Sequence, residues 1–121
     1  MRKIVVLALL IAVVATASLA VPAMSSPTAT SAATTSVKVG DNYFVRRSGV
    51  PTVTVSRGTT VRWLFSGRRT HNVDVSRGPV KFSSPIKRRG SYSKKLTRKG
   101  TYTIICTIHG ASDQSMKLVV R

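Results

Sequence analysis

A chain of 121 residues, 42% of them hydrophobic, can form one domain of modest size around a single core. Its 20 Lys and Arg against three acids give a formal net charge of +17, a surface that attracts anions. Two histidines, one cysteine and three scattered acids do not support a Ser-His-acid or paired-carboxylate site once the histidines are otherwise engaged, so an enzyme is not expected.

The N-terminus has the layout of a secretory signal. Arg2 and Lys3 precede an apolar run from Ile4 to Ala15, and small residues follow in "TASLAVPAM". The expected signal peptide is 1–23, with an uncleaved membrane anchor as the alternative. Either way the chain is exported, to a periplasm, cell envelope or extracellular space. No cysteine stands directly after the apolar run, which excludes a lipoprotein anchor. Residues 24–35, opening "MSSPTATSAATT", are Ser, Thr, Ala and Pro without periodicity and read as a flexible linker.

The folded domain is therefore expected over 36–121. Short runs rich in Val, Thr, Tyr and Ile alternate with Gly-containing turns, and no window shows a useful helical period. Strands are predicted at "SVKVG", "NYFVRR", "PTVTVS", "TTVRWLF", "HNVDV", "GSYSKKLT", "TYTIIC" and "MKLVVR". Eight short strands make an all-β sandwich. Period-2 alternation assigns Val61, Trp63 and Phe65 inward with Arg62 outward. The same logic puts Tyr102, Ile104 and Cys106 on one face, and Met116, Leu118 and Val120 on another.

Without Arg2 and Lys3, 18 basic residues remain against Asp41, Asp74 and Asp113, a mature charge of about +15. The bases are scattered through turns and strands and do not interleave with aromatics, so nucleic acid is not an expected partner. An acidic protein, an anionic cell-envelope surface, or simple solubility would each account for the charge.

Chemistry concentrates near the C-terminus. An unpaired cysteine in an oxidising compartment is buried and inert, joined to another chain, or committed to a metal. Cys106 stands three residues before His109 at a strand end, and the only other histidine, His71, follows the turn "SGRR". Two imidazoles and a thiolate with a weak fourth donor suit a blue-copper centre, while zinc also accepts Cys and His. The C-x-x-H spacing alone does not choose between them.

The residues "VKVGDNYF", "VSRGTTVRW", "HNVDV", "FSSPIKRRGSYS", "KGTYTIICTIH" and "KLVV" resemble, in order and spacing, the plastocyanin, pseudoazurin and amicyanin type of small cupredoxin. The resemblance runs from Val37 to Val120. It implies a Greek-key β-sandwich holding one type 1 copper, with His71, Cys106 and His109 as equatorial ligands. Asn72 matches the residue that fixes the loops and hydrogen-bonds the thiolate sulfur. Trp63 and Phe82 match core positions, and the edge of His109 matches the route by which electrons enter and leave. The implied function is one-electron transport by a monomer with a redox protein partner, expected to be acidic. Copper delivery or storage, and a metal-free cationic module that binds the envelope, are the alternatives.

The fourth donor departs from the family pattern. "HGASDQSMK" puts Gln114 where a plastocyanin-like loop has methionine, and Met116 two positions later is the competing donor. Spacing favours Gln114 and the thioether's chemistry favours Met116. The phase shared by Met116 with Leu118 and Val120 assigns it to the core.

Overall fold

The computed structural model describes residues 12–23 and 33–121. The start of the expected signal peptide and most of the expected linker, residues 1–11 and 24–32, lie outside the described residues. Residues 12–23 carry no helix or strand, and no helix among the described residues is long and apolar enough to cross a membrane.

Eight strands and one short helix form the domain. They are β1 (Thr34–Gly40), β2 (Tyr43–Phe44), β3 (Thr52–Val55), β4 (Thr60–Phe65), β5 (Asp74–Arg77), β6 (Gly90–Lys95), β7 (Gly100–Ile105), α1 (Gly110–Asp113) and β8 (Ser115–Val120). One sheet has the order β2-β1-β4-β6 and the other β3-β8-β7-β5. The chain passes repeatedly from one sheet to the other, which is why β1 pairs parallel with β4 and β3 parallel with β8. The first strand begins at Thr34, two residues ahead of the expected domain start.

The alternating residues face inward as expected. Val61 and Trp63 of β4, Ile104 of β7, the following Cys106, and Met116 and Leu118 of β8 are fully buried. Trp63 lies 6.0 Å from Phe82 and 5.9 Å from Tyr92, ring centre to ring centre, and ties one sheet to the segment before β6. Its indole N–H has no hydrogen-bond partner among the described residues.

Two expected elements differ and one element was not expected. "NYFVRR" yields a strand of only Tyr43–Phe44, because Val45 adopts φ 65° and turns the chain out of the sheet. "HNVDV" does not form one strand. Its first residues pair instead with the segment before β6, His71 and Lys87 exchanging both backbone hydrogen bonds at 2.8 Å, and regular pairing with β7 begins only at Asp74. The helix α1 between β7 and β8 was not expected, since four residues are too few to display a period.

Candidate metal centre

Three connections at one end of the sandwich contribute side chains: β1–β2, β4–β5 and β7–β8. Cys106 is the residue directly after β7, and Gln114 the residue directly before β8. The antiparallel ladder pairs Ile105 with Ser115, and Cys106 N–H then donates to Gln114 C=O at 3.1 Å. This brings Cys106 and Gln114 face to face. The loop between them turns through Gly110, whose φ of 79° is open to glycine at little cost, and Gly110 N–H donates to Cys106 C=O at 2.9 Å. His109 is thereby folded back over the sulfur.

His71 comes from the β4–β5 loop and is fully buried. Its Nδ1 stands 3.9 Å from Cys106 Sγ, and His109 Nδ1 stands 3.5 Å from the same sulfur. The ligand atoms of these three residues all lie within 4.8 Å of one another. A metal bonded at about 2.3 Å to sulfur and about 2.0 Å to nitrogen in a trigonal plane separates the two by ~3.7 Å. The two observed distances straddle that value.

Gln114 lies beside these three residues. Its Nε2 donates to Gly40 C=O at 3.1 Å and to Tyr43 C=O at 3.0 Å, so the amide cannot flip and Oε1 faces inward, 2.9 Å from His71 Nδ1. The other nitrogen of His71, Nε2, lies 3.0 Å from Asp41 Oδ1. With Nε2–H donated to that carboxylate, a neutral His71 turns an acceptor lone pair at Nδ1 toward a second acceptor, Gln114 Oε1. Two acceptors 2.9 Å apart require a cation or proton between them.

Met116 is not at this level. It pairs with Ile104, two residues further along β8, about 7 Å deeper in the core at the usual strand rise, and is fully buried among apolar neighbours. Asn72 clamps the two ligand loops, its Oδ1 accepting from Thr107 N–H at 2.8 Å and from Thr107 Oγ1–H at 3.2 Å. The expected bond from Asn72 to the sulfur is not among the hydrogen bonds of the described residues.

Asp41, which the sequence marks only as one of three acids, is the residue that sequence reasoning missed. Its carboxylate accepts from Arg68 N–H at 3.0 Å and Arg69 N–H at 2.9 Å in addition to His71. These backbone N–H groups of Arg68 and Arg69, and then the His71 ring, hold the Asp41 carboxyl well below the usual carboxylate range. Gly67 makes room for this arrangement, since a Cβ there would collide with the Asp41 carboxylate. The available signal was its place, at the end of β1 beside a turn.

The surface around the site is cationic and partly apolar. Arg68, Arg88 and Arg89, with Phe65, Ser66 and Gly67, line a groove of about 620 Å³. Ile86 and Ile108 are exposed apolar residues beside Lys87 and His109. Among the described residues the one salt bridge joins His71 and Asp41, and the chain has no acid beyond Asp41, Asp74 and Asp113. These arginines therefore have no carboxylate side chain of the same chain as a partner.

No family model matches the chain. It is 34% identical over 113 residues to amicyanin-alpha of Methylorubrum extorquens, covering 90% of this chain and 92% of that protein. Among solved structures, a methionine-to-glutamine variant of amicyanin in its Cu(I) form superposes with a TM-score of 0.58 at 28% identity, covering 73% of this chain and 82% of its own. The copper-containing nitrite reductase of Thermus scotoductus SA-01 also gives a TM-score of 0.58, at 22% identity over 71% of this chain. This chain spans 22% of that enzyme, and the likeness is one of fold.

Proposed function

The chain belongs to the amicyanin family of small cupredoxins, and from that premise we propose that it is an exported carrier of single electrons. The cluster of His71, Cys106 and His109 fits one type 1 copper, which supplies the Cu(I)/Cu(II) couple. The single observation that carries the reading is the donor set itself: a buried cysteine sulfur 3.5 and 3.9 Å from two imidazole nitrogens, fixed by loops that are bonded to one another. A rigid set of this kind keeps its geometry in both oxidation states, so little rearrangement accompanies electron transfer.

In this proposal Gln114 is the weak fourth ligand through Oε1, held in place by Gly40 and Tyr43. His109, half-buried beside the exposed Ile108, is the point of electron entry and exit. The redox partner presents carboxylates to Arg68, Arg88 and Arg89, whose charges are not met within the chain. Delivery or storage of copper is less well supported, because Cys106 and His71 are fully buried and a hand-off needs ligands that an acceptor can reach.

The test is the visible spectrum of the copper-loaded domain. An intense thiolate-to-Cu(II) charge-transfer band is expected, and Cys106→Ser should abolish it. Persistence of the band in that variant would remove the thiolate from the site.

A further inference from the structure

We propose that Asp41 is a positioning residue of the copper centre, which fixes the tautomer and orientation of His71 and, through its charge, biases the site toward Cu(II). The inference rests on the reading of His71 as a ligand. Its ground is a contact between two residues 30 positions apart, Asp41 Oδ1 at 3.0 Å from His71 Nε2.

The carboxylate is placed by more than the histidine. Arg68 N–H donates to Oδ2 and Arg69 N–H to Oδ1, so the group that receives His71 is itself held at two further points by the β4–β5 loop. Residues from the β1–β2 turn and from the loop carrying His71 are thus joined at one carboxylate. His71 is gripped on both sides, by Asp41 at Nε2 and by the Gln114 amide oxygen beside Nδ1, while its backbone is locked to Lys87. The ring has no freedom to rotate. Nε2–H must point at the carboxylate, which leaves Nδ1 free of hydrogen on the side of Cys106 when the ring is neutral.

A second consequence is electronic. An anion accepting from Nε2–H raises the electron density of the imidazole and strengthens it as a donor. Cu(II) gains more from a stronger donor than Cu(I). Asp41 and the amide oxygen of Gln114 therefore act in the same direction, toward the oxidised form. Against them stands the cationic surface, which favours the less positive reduced form. Exposed charges are screened within about 10 Å at 0.1 M salt, whereas Asp41 acts through a direct hydrogen bond to a fully buried ring. The nearby carboxylate dominates.

The experiment compares the wild-type copper protein with Asp41→Asn and Asp41→Glu. Asparagine keeps the size and an acceptor oxygen but removes the charge. Asp41→Asn is expected to weaken Cu(II) binding by about 10–100-fold. Cu(I) binding should weaken less, so that the ratio of the two affinities falls by about tenfold, equivalent to about 59 mV of higher reduction potential for a one-electron couple. Asp41→Glu, which restores the charge, should recover part of the shift. An unchanged affinity ratio in a folded Asp41→Asn protein overturns the proposal, as does a lowered melting temperature with no change in that ratio, the mark of a mere loop fastener. If Asp41→Asn does not fold, the wild-type Cu(I) protein decides by nitrogen-edited NMR. A slowly exchanging proton on His71 Nε2 supports the proposal, and its absence overturns it. Failure of the wild type to show the blue band would instead reject the copper reading on which the inference stands.

Discussion

Cys106 and Gln114 face one another one step beyond the last rung of the β7–β8 ladder, joined by a backbone hydrogen bond of 3.1 Å. Side chains at facing positions of an antiparallel pair project to the same side, so this pair sends thiol and amide together into the metal end. The pair Ile104 and Met116, two residues away, sends its side chains into the core. Gln114→Met should therefore keep the blue band and raise the reduction potential clearly, as a softer donor replaces an amide oxygen. Met116→Leu should change neither, and should cost less than about 1.5 kcal/mol as a near-isosteric core replacement. If Met116→Leu shifts potential and spectrum while Gln114→Met does little, the sulfur is the ligand.

The relation between those two residues also shows what a sequence displays. The inward rows Val61-Trp63-Phe65 and Tyr102-Ile104-Cys106 were legible because a period of two needs only neighbours along the chain, and the structure buries all six. The phase of Met116 with Leu118 and Val120 was legible for the same reason. Asp41 was not, since its partners Arg68, Arg69 and His71 lie about 30 residues away and no local period encodes that contact. The early end of β2 was hidden too. A β-branched residue predicts extended backbone, and tertiary packing turns Val45 to φ 65° against that preference.

That turn supplies a stability prediction. Positive φ is costly for a β-branched side chain, on the order of 1–3 kcal/mol, and asparagine tolerates it far better. Val45 is 38% exposed, so the apolar burial lost on replacement offsets part, but not all, of the relieved strain. Val45→Asn should stabilise the domain by about 1 kcal/mol, which is roughly 4–8 °C in melting temperature for a domain of this size. Calorimetry of the metal-free protein gives the answer, and an unchanged or lower midpoint would show that no strain is stored there.

Asn72 is expected to matter for stability before it matters for copper. Its Oδ1 receives both the N–H and the hydroxyl of Thr107, next to Cys106. Asn72→Ala leaves these donors without their acceptor, and since water reaches the exposed Thr107 the cost is about 1 kcal/mol. Thermal unfolding of the metal-free protein should register the loss. A loss seen only in the copper form would mean that Asn72 acts on the ligands and not on the loops.

Acid should expose the Asp41 contact. A carboxyl held below its ordinary value of 3.8 stabilises the fold at pH above that value, and the contribution is lost as pH falls toward the lower folded-state value. The stability difference between wild type and Asp41→Asn, measured on metal-free protein by urea unfolding, should thus be constant near neutrality. It should shrink steadily below about pH 4. A difference independent of pH down to about 2.5 would show that the charge of Asp41 contributes nothing to folding.

The arginines beside the site should govern how fast a partner arrives. Arg68, Arg88 and Arg89 line the groove next to the His71 loop, while Arg98 and Lys99 occupy the β6–β7 turn at the opposite end of the sandwich. The six residues of β7, Gly100–Ile105, separate the two ends by about 20 Å at the usual strand rise. At 0.1 M salt the screening length is about 10 Å, so the far pair acts weakly on a partner docking at His109. Replacing Arg88 and Arg89 by Glu should slow electron transfer from an acidic redox protein by at least tenfold at low salt. The same change at Arg98 and Lys99 removes identical charge and should slow it far less. For the wild type the rate should fall steeply between 0.01 and 0.1 M salt, as the screening length contracts from about 30 to about 10 Å. Equal effects of the two double variants would mean that net charge alone steers the encounter. A rate flat in salt would mean that charge does not steer it, and that the partner docks through the apolar surface of Ile86 and Ile108.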